Sequence, residues 1–443
     1  MFRIFFNIKA VKLKGSRIYN VAVSAFWLIA GVGIGKVLAL VSTYFLTGIL
    51  MAEGYGKLGI VLSTVGLFST IGGIGLASAA TKYIAEYKLA DKLKAANIVV
   101  LCEIVIVATS GFMSAMFFLL SPIIAETIYK DSSLVDLLRI ASVYMFFLTM
   151  NTAQIGTLAG LEAFKLIAIN NLCSSLIGFP LIIMLCYHFE LTGVLIGYSV
   201  MCLGQYFLNL ISIKKKCKEY ELVLTFKVSG LIAEWEIINK FIIPTALSGF
   251  ISMPVVWLCD TMLAKADNGY LEMAIYSAAS QWRAFILFIP QNIAIVLLPV
   301  LSSLFGGKNM REYKYMFNIS IISNFLIAAL TTVPLLIFSE KIMSGYGAEF
   351  SSRGSVFMVT LATSVIMVLN EVIGKSIASQ GRMWMGFAFN LAWAIALLGS
   401  SYVLVVQNDY GAVGLTTAYL IAYILHSIWQ YVFVVKNAKN LEM

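Results

Sequence analysis

A chain of 443 residues that is 60% hydrophobic and only 12% charged stands far from the roughly 25% charged content of an average soluble domain, which excludes a water-soluble globular protein. One bilayer-crossing helix takes about 20 apolar residues, so twelve crossings leave short loops and no sizeable soluble domain. The net charge of +9 is not a nucleic-acid signal, because the basic residues are scattered through loops with no soluble fold to carry a groove-reading element.

In chain order, the tail MFRIFFNIKAVKLKGSR mixes aromatics with cations and suits a helix lying on anionic lipid. The first apolar run, 21–46, is too long for a signal-peptide core and lacks a small-residue cleavage site after it, so it is expected to persist as a helix. Further apolar runs follow at 58–80, 97–120, 137–160, 166–187, 191–213, 238–259, 273–300, 316–338, 355–379, 383–405 and 411–435. The expected fold is an all-α polytopic membrane protein of twelve spans. Lys and Arg resist translocation, and 21 of them fall in tails and loops on one side against five (Lys57, Lys130, Lys265, Lys341, Arg353) on the other. Both termini are therefore expected in the cytoplasm. Cys102, Cys173, Cys186, Cys202 and Cys259 lie in apolar runs and Cys217 in a lysine cluster, which reads as small core residues rather than a disulfide framework.

A shift of 221 residues superimposes the first six runs on the last six and brings Tyr55 onto Tyr276, Gly160 onto Gly381, Gly178 onto Gly399, Gly193 onto Gly414 and Tyr198 onto Tyr419. Six spans per half give both halves the same polarity, as parallel repeats about an axis along the membrane normal. The expected organisation is a basic tail at 1–20, an N-lobe at 21–213, a linker at 214–237, a C-lobe at 238–435 and a tail at 436–443. Leu222, Phe226, Leu231 and Trp235 give the linker a surface-seeking amphipathic pattern. Two such lobes enclose a cleft, the architecture of an alternating-access transporter.

Charges inside spans cost roughly 2.5–3.5 kcal/mol on insertion scales, and depth sorts them. Lys36 lies about 15 residues into its run and Arg283 about 10 into its own, too deep to reach the headgroups easily. Lys240, Glu162 and Asp260 sit at run ends, where side chains snorkel. Asp136 with Arg139, and Glu371 with Lys375, are spaced to share a helix face and suit structural pairing as much as transport. Glu103 has no cation near it in sequence, so Glu103 and Glu371 are the candidates for a coupling proton or sodium ion. Arg139, Lys375, Gln154, Gln281, Gln291, Asn292 and Asn370 are candidate cavity residues, although amides in spans also serve as helix–helix glue. Pro290 and Pro299, in the run of Arg283, permit a bend.

The segment GYGKLGIVLSTVGLFSTIGGIGLASAATKYIAEY at 54–87 resembles the second-helix region of oligosaccharide-lipid flippases of the Wzx type, within the superfamily that includes MATE drug exporters and lipid II flippases. AIYSAASQWRAFILFIPQNIAIVLLPVLSSLFGGKN at 274–309 resembles the matching eighth-helix segment, and GLEAFKLIAINN (160–171) and SQGRMWMGFAFN (379–390) resemble the turns into the fifth and eleventh helices. The resemblance implies a bacterial inner-membrane protein that moves an undecaprenyl-pyrophosphate-linked sugar unit from the cytoplasmic to the periplasmic leaflet, for O-antigen or another surface polysaccharide. It implies a polymerase and a chain-length regulator as partners, membrane lipid as surroundings, and no cofactor beyond a coupling ion. On that reading Lys36 and Arg283 hold the pyrophosphate, guanidinium with paired donors and ammonium as a point charge, and the amides meet sugar hydroxyls. A cation-coupled drug exporter is the alternative, favoured by acidic cavity residues. A membrane polymerase or glycosyltransferase is a third, weakened by loops under about 25 residues, by the lack of a metal-ligand cluster and by the wide separation of His188 and His426.

Overall fold

The computed structural model of the chain describes residues 15–73, 75–224, 251–307 and 309–440. Among the described residues there are helices and no strands. Spans 1 and 2 are the two arms of one helix, Gly15–Gly73, folded back at Met51 (φ 56°, ψ −179°), a conformation almost reserved to glycine. Span 2 resumes after Gly75 as Leu76–Tyr87. Span 3 is Lys92–Pro122, capped by the Asp91 side chain on the Lys94 amide and prolonged by a π-helical turn, Ile123–Tyr129. Span 4 is Leu134–Gly160, and spans 5 and 6 are the arms of Phe164–Glu219, folded back at Glu190 (φ 49°).

The described part of span 7 is Ser252–Ala264, followed by span 8 (Gly269–Gly306) and span 9 (Met310–Ile337). After the short helix Ser339–Ser344 come span 10 (Gly354–Ser379), span 11 (Met383–Ser401, prolonged by Tyr402–Gln407) and span 12 (Gly411–Asn440). The twelve expected runs thus correspond to twelve spans. The basic tail to residue 14, linker residues 225–237 and the first part of span 7, with Lys240, lie outside the described residues.

The duplication is visible in the turns. Left-handed backbone recurs at Lys130 and Ser352, at Glu162 and Gly381, and at Glu190 and Gly411, each pair in corresponding loops of the two halves. At the hairpins between spans 5 and 6 and between spans 11 and 12, Gly193 and Gly414 let backbones touch: a Cβ would lie 2.0 Å from the Leu185 carbonyl oxygen and 2.8 Å from that of Leu404.

Each lobe is tied internally by side-chain amides and hydroxyls. In the N-lobe Asn151 donates to the Cys202 carbonyl (2.8 Å), Asn209 to Asn151 (3.3 Å), and Asn170 to Asn209 (2.9 Å) and Ser212 (3.0 Å). In the C-lobe Tyr313 Oη meets Ser376 Oγ (2.7 Å) and Ser379 Oγ (3.1 Å) and accepts from Gln380 (3.1 Å).

The apolar core divides unevenly. On the side of the lysine-poor loops one cluster runs through both lobes, from Leu58, Val61 and Leu138 to Val255, Tyr276, Phe357 and Ala418. On the lysine-rich side the N-lobe has its own cluster around Ile84, Ile98 and Leu158, and the C-lobe another around Leu301, Phe317 and Ile373. Among the described residues the core shared by the lobes lies on the lysine-poor side, and the cores on the other side are separate.

Three details refine the sequence reading. Span 6 stays helical to Glu219, so Lys214, Lys215, Lys216 and Lys218 stand on its helix, and Cys217 among them is 2% exposed. Lys88, one of the 21 basic residues counted in tails and loops, does lie in the turn after span 2 but is 3% exposed, ion-paired with Glu162 (2.8 Å) and donating to the Gly160 carbonyl (3.1 Å). Asp260 does lie near its span end, one turn before Ala264, but its side chain does not reach out to the headgroups: the residue is 6% exposed.

Candidate functional site

Where the shared core gives way to separate ones, spans 1, 2, 5, 6, 7 and 8 enclose a cavity of about 560 Å³, inside the 300–1,000 Å³ range of small-molecule sites. The N-lobe supplies Ala39, Ser42, Thr43, Tyr55, Leu62, Ser63 and Tyr198; the C-lobe supplies Asp260, Tyr276, Ser277, Ser280, Gln281 and Arg283.

Arg283 is held by tyrosines. Its Nη2 donates to Tyr276 Oη (3.2 Å), and its Cζ lies 5.5 Å from the Tyr276 ring centre and 5.2 Å from that of Tyr419. Tyr276, Tyr419 and Tyr423 stack in a row, with centroids 6.2 and 6.5 Å apart. Cation–π contact of this kind favours a desolvated guanidinium without neutralising it. Among the described residues no carboxylate lies within ion-pair distance of Arg283.

Asp260 faces the N-lobe. Its Oδ2 accepts from Ser63 Oγ at 2.5 Å, while Oδ1, buried, has no partner. Around it spans 2 and 7 are stitched together: Trp257 Nε1 donates to Thr64 Oγ1 (3.2 Å), and Tyr129 Oη, carried by the π-turn of span 3, meets both Thr261 Oγ1 (3.2 Å) and Thr64 Oγ1 (3.5 Å). π-Turns of this type often re-aim a side chain at functional sites.

Toward the lysine-poor rim the lobes close further. Lys57 pairs with Glu53 (3.1 Å) and Asp131 (3.5 Å) and lies 5.1 Å over the Tyr270 ring, while Tyr270 Oη donates to Asp131. Burial works against the Asp131 carboxylate, but hydrogen bonds from Ser133 and Tyr270 and the charge of Lys57 hold it down to about 2. Gly56 permits the approach: a Cβ there would sit 1.9 Å from the Tyr270 carbonyl oxygen.

The sequence candidates separate clearly. Arg283 and Gln281 line the cavity. Lys36 is half-buried on span 1, on the flank of the face that turns Gly35, Leu38 and Ala39 to the cavity, and does not itself line it. Gln154 is inside the N-lobe, donating to Glu103 (3.1 Å), so Glu103 has a partner that charge-spacing arguments overlook. Arg139 pairs with Asp136 (3.4 Å) over the Phe118 ring. Glu371 and Lys375 are both half-buried, and no ion pair joins them among the described residues, against the expectation from their spacing. Gln291 is exposed, Asn292 bonds its own helix at the Phe288 carbonyl (2.8 Å), and Asn370 bonds Ser427 between spans 10 and 12. None of these nine candidates, from Lys36 to Asn370, lines the cavity. Sequence reasoning missed Asp260, Ser63 and the tyrosine row; the one available signal was the register of Tyr55 with Tyr276 and of Tyr198 with Tyr419, pairs that now prove to flank the cleft.

Comparison with known proteins agrees with this architecture. The chain superposes on the eukaryotic MATE transporter AtDTX14 with a TM-score of 0.72 at 13% identity, covering 96% of this chain and 98% of that one. It superposes on a MOP superfamily transporter from Pyrococcus furiosus, described as having a binding pocket of reversed polarity, with a TM-score of 0.70 at 13% identity and 96% coverage of both. Such identities show the fold alone. In sequence the chain is 26% identical over 184 residues to the EPS I polysaccharide export inner membrane protein EpsE of Ralstonia solanacearum, a match spanning 42% of each chain. The profile of the polysaccharide biosynthesis protein family matches residues 21–305, well over half of the chain, which therefore belongs to that family.

Proposed function

We propose that the chain is an exporter of the flippase kind, carrying an undecaprenyl-pyrophosphate-linked oligosaccharide across the inner membrane by alternating access, with both termini in the cytoplasm. The observation that carries the reading is Arg283: a guanidinium with no carboxylate partner among the described residues, lining a cavity between two lobes. A cation kept in a membrane interior with no carboxylate in direct contact is costly and suits a ligand that brings an anion to it. A pyrophosphate does so and offers acceptors for paired donors. Lys36, beside the cavity on a flexible stem, is the second cation of that reading. The polysaccharide family and the EpsE relative support the substrate class.

The drug-exporter alternative finds one cavity carboxylate, Asp260, in its favour, but the cation lining the same cavity is a poor host for cationic drugs. Arg283→Gln is expected to accumulate at normal levels and to lose surface polysaccharide at least a hundredfold in a strain lacking the gene. Arg283→Lys should recover only part, because the paired donors are gone. Parallel loss of folded protein and transport, or of neither, overturns the anion-binding role.

A further inference from the structure

The cavity holds a second unusual group besides Arg283. Asp260 is almost wholly buried, spends one oxygen on Ser63 of the opposite lobe and leaves the other without a partner. A buried acceptor in this condition is expensive unless something completes it. The single hydrogen bond it does make crosses from span 7 to span 2, in the seam that also contains Trp257–Thr64 and Tyr129–Thr261. The carboxylate therefore does two things at once: it borders the cleft, and it helps hold the lobes together on the lysine-poor side. Oδ1 is buried and unpartnered, and because both oxygens belong to one planar group, a ligand that draws the carboxylate toward itself pulls Oδ2 away from Ser63.

We propose that Asp260 is a latch opened by the cargo: a sugar hydroxyl of the head group donates to Asp260 in place of Ser63, and the exchange frees span 2 from span 7 so that the loaded carrier opens on the lysine-poor side. This inference rests on the pyrophosphate-sugar reading of the cavity and deepens it. Arg283 holds the anion that every such carrier lipid shares; Asp260, with Ser277, Ser280 and Gln281 on the same wall, meets what differs, the sugar. A hydroxyl suits Asp260 because it donates without bringing charge and has a lone pair left to accept from the neighbouring Ser or Gln donors. An apolar or purely anionic ligand does neither. Coupling requires that the ligand interact differently with the two states, and here the difference is explicit, since the acceptor that the sugar takes is the one the seam loses.

The test uses the full-length protein in nanodiscs with spin labels at Thr127→Cys and Asp267→Cys, both exposed on the lysine-poor side in opposite lobes. The probes are undecaprenyl pyrophosphate and the same lipid bearing one N-acetylglucosamine, with binding of each followed separately by thermal shift. Both lipids are expected to bind the wild type, and only the sugar-bearing one to lengthen the inter-label distance. Ser63→Ala should populate the long distance at least tenfold more without lipid. Asp260→Asn should bind both lipids and lose the sugar-dependent lengthening. Equal lengthening by the sugar-free lipid, opening by sodium or acid without lipid, or wild-type behaviour of both variants overturns the latch. Failure of either lipid to bind the wild type instead removes the pyrophosphate reading on which the latch rests.

Discussion

The two walls of the cleft are built to the same plan and carry different chemistry. At the 221-residue shift, Tyr55 and Tyr198 of the N-lobe correspond to Tyr276 and Tyr419 of the C-lobe, although their ring partners differ: Tyr198 packs on Tyr144 at 5.4 Å, whereas Tyr419 packs on Tyr276 at 6.2 Å. Yet Asp260 corresponds to Ala39 and Arg283 to Leu62, and all four line the same cavity. The repeated residues shape the cleft; the unrepeated ones give it charge. Deeper in the N-lobe, Asn151, Asn170 and Asn209 satisfy one another. A polar group closed on its own kind is glue, and one left open beside a cavity is a candidate for ligand.

The sharpest way to break this comparison is to exchange the walls. If the repeat supplies shape alone, a cation on either wall serves, and Leu62→Arg combined with Arg283→Leu should restore transport at least tenfold over Arg283→Leu by itself; measured restoration of surface polysaccharide decides it, and no recovery would show that the tyrosine row is specific to one wall. The glue side of the comparison predicts a smaller effect of another kind. Asn209→Leu should destabilise the protein by about 0.6–1.7 kcal/mol, seen as a lower melting temperature in detergent, with transport per folded molecule unchanged. The smallest effect belongs to the rim. Because the Asp131 carboxyl is held below its ordinary 3.8, at about 2, its contribution is full above about pH 4 and is lost as pH falls toward 2. Asp131→Asn should therefore cost about 0.2–1 kcal/mol of stability at pH 7, and the difference from wild type should vanish between pH 4 and pH 2 in thermal melts.

The twelve spans were legible because each needs about 20 apolar residues, a signal that survives loose boundaries. The cavity was legible only in part, and Asp260 shows why. A hydropathy run ends at its first charge, so Asp260 itself set the limit at residue 259 and then looked like a boundary residue. The helix actually runs on to Ala264, and neighbouring spans 2 and 3 cover the carboxylate. Arg283 escaped the same error because apolar sequence resumes after it. Glu103 with Gln154, and Asn370 with Ser427, were out of reach for another reason: their partners lie 51 and 57 residues away in sequence, and one-helix spacing rules see only neighbours on the same helix.

The uneven core has a mechanical corollary. Two stiff bodies that share packing over only one half of their height form a lever, with the shared cluster as its pivot and the separated clusters as its arms. With half of the roughly 30 Å of hydrocarbon as the arm, each rotation of about 10° displaces the far ends by about 3 Å. Angstrom-scale rearrangement at the pivot, the size of one exchanged hydrogen bond, is thus geometrically amplified into a change of aperture at the opposite face.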